Sequence, residues 1–395
     1  MIKLSDIKGL SQLATDSVSG ITNLVKNMHE NIDRNSGLFG VSTTVPIGAI
    51  TDIVFQNIHS VNNIVRNSME TILTQIEPMF EENESFPERD VVLAALNGVV
   101  GDYLAEQNNP LAIPMRLKYK GVPLNINDEN INNQIPDFNG KLIVLVHGLC
   151  MNDQQWLYKN HNHGEKLAED IAYTPVYLNY NTGVHISFNG QGFSDILEQL
   201  ISKISVDDFI ILAHSMGGLV TRSACYYGEI KNYKWPRLLK KQIFLGTPHH
   251  GAPLEKGGNW VNILLDYFPH SAPFSKLPKI RSAGITDLRY GYLRDEDWSS
   301  CDRFDNVVEN KSPIPLPENV QSYAIAATLG TEQSNVKNSV VGDGLVPVNS
   351  ALGKHSLDKY CLSFPESSQF IAYGLNHWDL ICSESVYNKI KQWCV

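Results

Sequence analysis

The chain has 395 residues, with 32 basic against 42 acidic side chains and a formal net charge of −10. An acidic chain lacks the basic footprint that nucleic acid or an anionic membrane surface requires. Hydrophobic residues make up 43% and charged residues 19%, a globular composition with ample material for a core. At this length two domains, or one large domain with additions, are expected.

The chain opens on a helical preface. Leu4, Ile7, Leu10 and Leu13, then Ile21, Leu24, Val25, Met28 and Ile32, recur at threes and fours. A second stripe runs from Ile50 to Ile76, after the loop Asn35–Gly40. Such spacing marks amphipathic helices over about Leu4 to Pro78. An acidic loop, 81–90, precedes a third helix expected from Asp90 to about Glu106. An apolar helical face first suggests packing, and second a docking face for a lipid surface or another copy of the chain. Residues 1–90 hold six basic and twelve acidic side chains, which counts against lipid because interfacial helices are normally Lys- and Arg-rich. Residues 1–114 are therefore read as a helical N-terminal region.

From about residue 115 the pattern changes. Arg116–Leu124 alternates, as an opening strand or hairpin would. Short apolar runs follow at Lys141–Val146, Thr174–Asn179, Asp208–Ala213, Lys241–Leu245, Val320–Ala326 and Gln369–Tyr373. Helices are expected at Phe193–Ile204, Gly217–Gly228 and Ser383–Cys394. Continuous apolar strands alternating with helices specify an α/β fold with a mostly parallel sheet covered on both faces. The alternation stops between Gly251 and Asn319, so 252–319 reads as a cap-like insertion with one helix near Trp260–Phe268. Trp260, Leu264, Leu265, Tyr267, Phe268 and Phe274 could cover an acyl pocket or form the insertion's own small core.

Cys150, Cys225, Cys301, Cys361, Cys382 and Cys394 form no CxxC pair, and no Cys/His cluster has zinc spacing. Free thiols in a reducing compartment are expected, with no metal and no cofactor. The segment Met1–Lys8 has no basic start followed by an apolar run. The longest uncharged stretches, between Asp170 and Asp195 and between Arg34 and Asp52, contain Pro and Gly. Neither a signal peptide nor a membrane span is expected, and the location is read as cytoplasmic.

Chemistry concentrates at five places. Ala213-His214-Ser215-Met216-Gly217-Gly218 joins an expected strand to an expected helix. A serine on such an elbow needs small residues two before and two after it, and Ala213 and Gly217 meet that need. The elbow aims the Met216 N–H and the helix N-terminus at a reacting oxygen. His147-Gly148-Leu149 ends the strand Lys141–Val146, where the Leu149 N–H can complete an oxyanion hole and His147 shapes the loop. The acid and base should follow in the order Ser, Asp, His. Asp343, between Gly342 and Gly344, and His377, directly after the last strand, stand in that order. His355 is the competing base, and Asp302 and Asp305 are competing acids. Asp343 could instead be a plain turn aspartate.

The motifs VHGL (146–149), AHSMGG (213–218), LGTPHHG (245–251), GDGLVPVNSAL (342–352) and NHWDL (376–380) occur in family order. On these the chain, over roughly 115–395, resembles serine lipases and esterases of the α/β-hydrolase superfamily, close to the bacterial lipases and the GPI inositol-deacylase-like branch. The resemblance implies an α/β-hydrolase catalytic domain and a Ser215-Asp343-His377 triad. It implies a Leu149 and Met216 oxyanion hole supported by His147, Gly148 and Gly217, with His249 a structural loop histidine. The substrate implied is a small-molecule or lipid ester, cleaved through an acyl-enzyme. An acyltransferase or a thioesterase would use the same triad, and a non-enzymatic scaffold would use only the fold. Three departures stand out. Ala213 replaces the commoner glycine, and the stretch from Ala327 to Asp343 is longer than a usual strand-to-acid loop. Asp379 stands where some bacterial lipases hold calcium, but without an evident partner aspartate.

Overall fold

A computed structural model describes Gly9 and residues 88–252, 282–299, 312–331 and 342–395. The two helical stripes between Leu4 and Pro78, the expected helix near Trp260–Phe268, and Asp302 and Asp305 lie outside the described residues, Gly9 excepted.

Eight strands form one sheet: β1 Arg116–Tyr119, β2 Val122–Pro123, β3 Lys141–Val146, β4 Thr174–Asn179, β5 Asp208–His214, β6 Leu239–Leu245, β7 Gln321–Thr328 and β8 Gln369–Tyr373. Their spatial order is β2-β1-β4-β3-β5-β6-β7-β8. The β1–β2 and β1–β4 pairs are antiparallel, and every other pair is parallel. The central strands are buried on both faces, which is why Leu142–Val146 and Phe209–Leu212 read as unbroken apolar runs. Among the described residues, helices of eight residues or more are α1 Glu88–Glu106, α2 His163–Ile171, α3 Ile186–Ile201, α4 Met216–Ile230, α5 Ala283–Tyr290 and α6 Glu384–Cys394. This sheet order with helical crossovers is the α/β-hydrolase architecture expected from the sequence.

Three elements differ from the sequence reading, the first being helix α2, which was not expected between β3 and β4. Helix α3 starts at Ile186, seven residues before the expected Phe193, and takes in Asn189, Gly190 and Gly192, which look like loop chemistry. Packing overrides that propensity. A Cβ on Gly190 would lie 2.1 Å from Ser223 Oγ of α4, so the glycine lets the two helices close on each other. Helix α5 lies in the insertion and was not expected. Ser282 caps it by accepting from the Ile285 N–H at 3.4 Å, and Asp102 of α1 accepts from the Ala283 N–H at 2.9 Å. Ser282 before it and Gly291 after it, at φ 66°, are local start and stop signals that the sequence reading passed over; only the Asp102 contact is distant.

The strand ends are stitched beyond the strands themselves. Ser215 N donates to Leu245 O and Gly246 N to Ile325 O, both at 2.8 Å, and Leu375 N donates to Thr328 O at 3.1 Å. The segments leaving β5, β6, β7 and β8 therefore advance together at the carboxyl edge of the sheet, where ligands bind in open parallel sheets.

Helix α1 is built into the same core. Val92, Leu96, Val99 and Leu104 are buried in one apolar cluster with the sheet residues. Asn97, fully buried, donates through Nδ2 to Leu93 O and Leu111 O, and its Oδ1 accepts from the Ile113 N–H. Asn109 Nδ2 donates to Gly9 O at 2.9 Å, which docks the one described residue of the preface against the segment after α1. Replacing Asn97 with leucine would strand the Ile113 N–H and Leu111 carbonyl, at about 1–3 kcal/mol each. Asn97→Leu is expected to lower the unfolding free energy by about 2–5 kcal/mol in urea titrations; an unchanged midpoint would show that α1 is not part of the cooperative unit.

Candidate active site

Ser215 has φ 55° and ψ −126°, the left-handed conformation that L-residues avoid, and Met216 opens helix α4 directly after it. The surrounding small residues make this turn possible. A Cβ on Gly217 would stand 2.4 Å from Val146 O and 2.6 Å from His147 O, so α4 presses its first turn against the tip of β3. A Cβ on Gly148 would stand 3.0 Å from Ser215 Cβ. The loop after β3 thus lies against the serine.

That loop is held from two sides. Tyr180 donates its hydroxyl to His147 O at 2.8 Å and stacks on the His147 ring at 4.4 Å. His147 Nδ1 donates to Gly148 O at 3.0 Å. Cys150 N donates to Thr182 Oγ1 and Met151 N to Gly148 O, leaving the Leu149 N–H between them outside these bonds. The Met216 N–H lies in the first turn of α4, where amides have no partner within the helix. The Cys150 thiol is buried, and burial pushes its pKa up, so it stays protonated beside this loop.

Asp343 and His377 meet directly. His377 Nδ1 donates to Asp343 Oδ2 at 2.7 Å, with both side chains about 1% exposed. The other carboxylate oxygen, Oδ1, accepts from the Leu345 and Val346 N–H groups at 2.9 and 2.8 Å. Asp343 is therefore a turn aspartate and the histidine's partner together, one oxygen for each. His377 N also donates to Asp343 O at 3.2 Å. A carboxylate can only accept, so the imidazole carries its proton on Nδ1, and Nε2 is the basic nitrogen. Gly246, at the end of β6, has φ 57°, and a Cβ there would stand 3.1 Å from His377 Cε1 and 3.2 Å from Asp343 Oδ2. This glycine makes room for the pair; in the sequence it stands directly after a strand, within LGTPHHG (245–251). Ser215 is 1% exposed, and its hydroxyl has no hydrogen-bond partner among the described residues.

The competing base lies elsewhere. His355 belongs to its own turn, with Nδ1 accepting from the Leu357 N–H and the ring against His250 and Tyr360. His249 is buried against Phe244 and Phe364. Asp379 accepts from Lys159 Nζ at 2.8 Å and from the Asn376 N–H at 3.1 Å, so an ammonium is paired with the aspartate at which some bacterial lipases hold calcium. Among the described residues no group of three or more His, Cys, Asp or Glu is placed to hold a metal. No described helix is long and apolar enough to cross a membrane.

One neighbour was not read from the sequence. His214 donates through Nε2 to His377 O at 3.2 Å, with the two rings 4.7 Å apart. It precedes Ser215 and braces the backbone of His377.

The family model for the PGAP1-like alpha/beta domain matches residues 137–319, just under half of the chain. The chain resembles the PGAP1-like branch of the α/β-hydrolases. No curated protein sequence matches it significantly. Among solved structures, the mature lipase BlEst2 of Bacillus licheniformis is similar at 16% identity, covering 65% of this chain and 92% of that one, with a TM-score of 0.42. A lipase-esterase related protein of Clostridium acetobutylicum is similar at 14% identity, covering 71% and 98%, with a TM-score of 0.37. The RedJ thioesterase of Streptomyces coelicolor is similar at 14% identity, covering 66% and 91%, with a TM-score of 0.35. These are distant likenesses; the fold assignment rests on the sheet order and the family match.

Four fully buried histidines surround this region, and burial lowers the pKa of each. It falls to about 4 at His147 and about 3 at His163, and well below the ordinary 6.5 at His214 and His249. The folded protein thus binds fewer protons than the unfolded chain below pH 6.5. Their contribution to stability is fully present above pH 6.5 and is lost as pH falls toward the folded values, at about 1.4 kcal/mol per unit for each group. Unfolding midpoints are expected to fall steeply between pH 6.5 and pH 5, and less steeply in His163→Gln. A flat stability profile over this range would contradict the assignment of neutral buried histidines.

Proposed function

We propose that the protein is a serine hydrolase of carboxylic esters that works through an acyl-enzyme. The observation that carries this reading is the pairing of His377 with Asp343 at the sheet edge that also carries the strained Ser215. Nε2 of His377 takes the Ser215 proton as Oγ attacks the acyl carbon. Asp343 holds the tautomer and stabilises the imidazolium that forms. The tetrahedral oxyanion is received by the Leu149 and Met216 N–H groups, two fixed donors at a dry site, where each counts for more than in water. His377 then returns the proton to the departing alcohol. In the second half-reaction it activates the water that releases the acid.

Leu149, Met216, Trp378 and Leu380, close in sequence to the triad and the oxyanion loop, are buried and apolar, surroundings that suit a neutral small-molecule or lipid ester. The test is a p-nitrophenyl ester series of graded acyl length, with a fluorophosphonate label of the nucleophile. Wild type is expected to be labelled and Ser215→Ala to be unlabelled, with kcat lower by about 10⁴ or more. Asp343→Asn is expected to lower kcat by a similar order with KM little changed, because it alters the tautomer and leaves the acyl site intact. Equal labelling of wild type and Ser215→Ala would remove the reading. Product analysis with a competing alcohol separates hydrolysis from acyl transfer.

A further inference from the structure

A second site lies away from the triad, on the far side of the loop 246–250. A cavity of about 100 Å³ is lined by Arg222, His249, His250, Asp297, Ile314 and Lys359, among others. It contains no triad member and neither oxyanion residue.

Arg222 projects from α4 and is buried. Its Nη1 donates to His249 O at 3.3 Å and its Nη2 to Ile314 O at 2.7 Å. Its Nε has no partner, and it has no ion pair among the described residues. His249 is 2% exposed, and neither of its ring nitrogens has a partner. Lys359 is exposed at the mouth, held 4.7 Å over the Tyr360 ring. Among the described lining residues Asp297 is the single carboxylate, and its oxygens are already engaged. Its Oδ1 accepts from Arg294 Nη2 at 2.7 Å, and its Oδ2 accepts from the Leu293 and Arg294 N–H groups at 3.0 Å.

A buried guanidinium with only carbonyl partners is expensive unless an anion completes it. Burial lowers the Arg222 pKa only to about 10, so it remains cationic at neutral pH. The His249 ring nitrogens are themselves buried behind the wall, so the donors that the cavity offers are the Arg222 guanidinium and the exposed Lys359 ammonium. Donors of this kind suit a tetrahedral oxyanion, with the guanidinium as a planar fork. The volume is well below the roughly 300 Å³ at which pockets for larger organic ligands begin, so an acyl chain or a nucleotide does not fit.

We propose that this cavity binds a small oxyanion of the phosphate class, either the free ion or the terminal phosphate of a small soluble molecule. Full-length protein would be titrated calorimetrically with inorganic phosphate and with glycerol 3-phosphate, at constant ionic strength set by chloride. Saturable binding is expected for wild type, with affinity lower by about tenfold or more in Arg222→Met and by a smaller factor in Lys359→Gln. Lys359 is at the surface, so its variant keeps the test meaningful if Arg222→Met fails to fold. Saturation by phosphate alone identifies the free ion as the ligand, and saturation by both identifies a phosphomonoester. Absence of saturable heat in wild type, or equal affinity in wild type and Lys359→Gln, overturns the proposal.

Discussion

The left-handed backbone at Ser215 is the constraint on which the rest of the candidate catalytic edge depends. A side chain at φ 55° is strained, and such strain persists only where the surroundings over-determine it. Here they do so from three directions. Gly217 lets α4 reach the tip of β3, Gly148 lets the next loop lie against the serine, and the Ser215 N–H is tied to Leu245 O across to β6. Each contact also serves the chemistry. The close packing that forces the turn brings the Leu149 loop and the first amide of α4 to one place.

The same economy appears in the acid. Asp343 divides its carboxylate between its own turn and His377, so the loop that presents it is rigid because of the group it presents. The histidine is fixed through both its ring and its backbone, by Asp343 and by His214. Its positioning draws on segments that follow β5, β7 and β8, which meet only because the parallel strands end in register.

Burial supplies the electrostatics. Water is excluded from Ser215, Asp343 and His377, and the neighbouring histidines are held neutral. Neutral rings act as hydrogen-bonding struts without adding positive charge beside the base. On the other side of the loop 246–250 the balance reverses, and Arg222 keeps its charge with no ion pair among the described residues. One short loop thus separates a neutral edge from a cationic cavity.

The fold class, the strand sequence and the order of Ser215, Asp343 and His377 were all readable from the chain. Buried parallel strands must be continuously apolar, and an elbow serine must have small neighbours at fixed offsets. These are local requirements, so they leave local patterns. The early start of α3 and the bracing of His377 by His214 left no such pattern. Gly190 is helical because Ser223 lies opposite it, and Asp102, far away in the chain, holds the first amide of α5. His249 reads as one more loop histidine until Arg222 and Lys359 are found to line the same cavity. What sequence alone determined were features whose cause lies within a few residues. What only the tertiary structure decided were features whose partners are tens of residues or more away, because close packing brings them together without regard to their spacing in the chain.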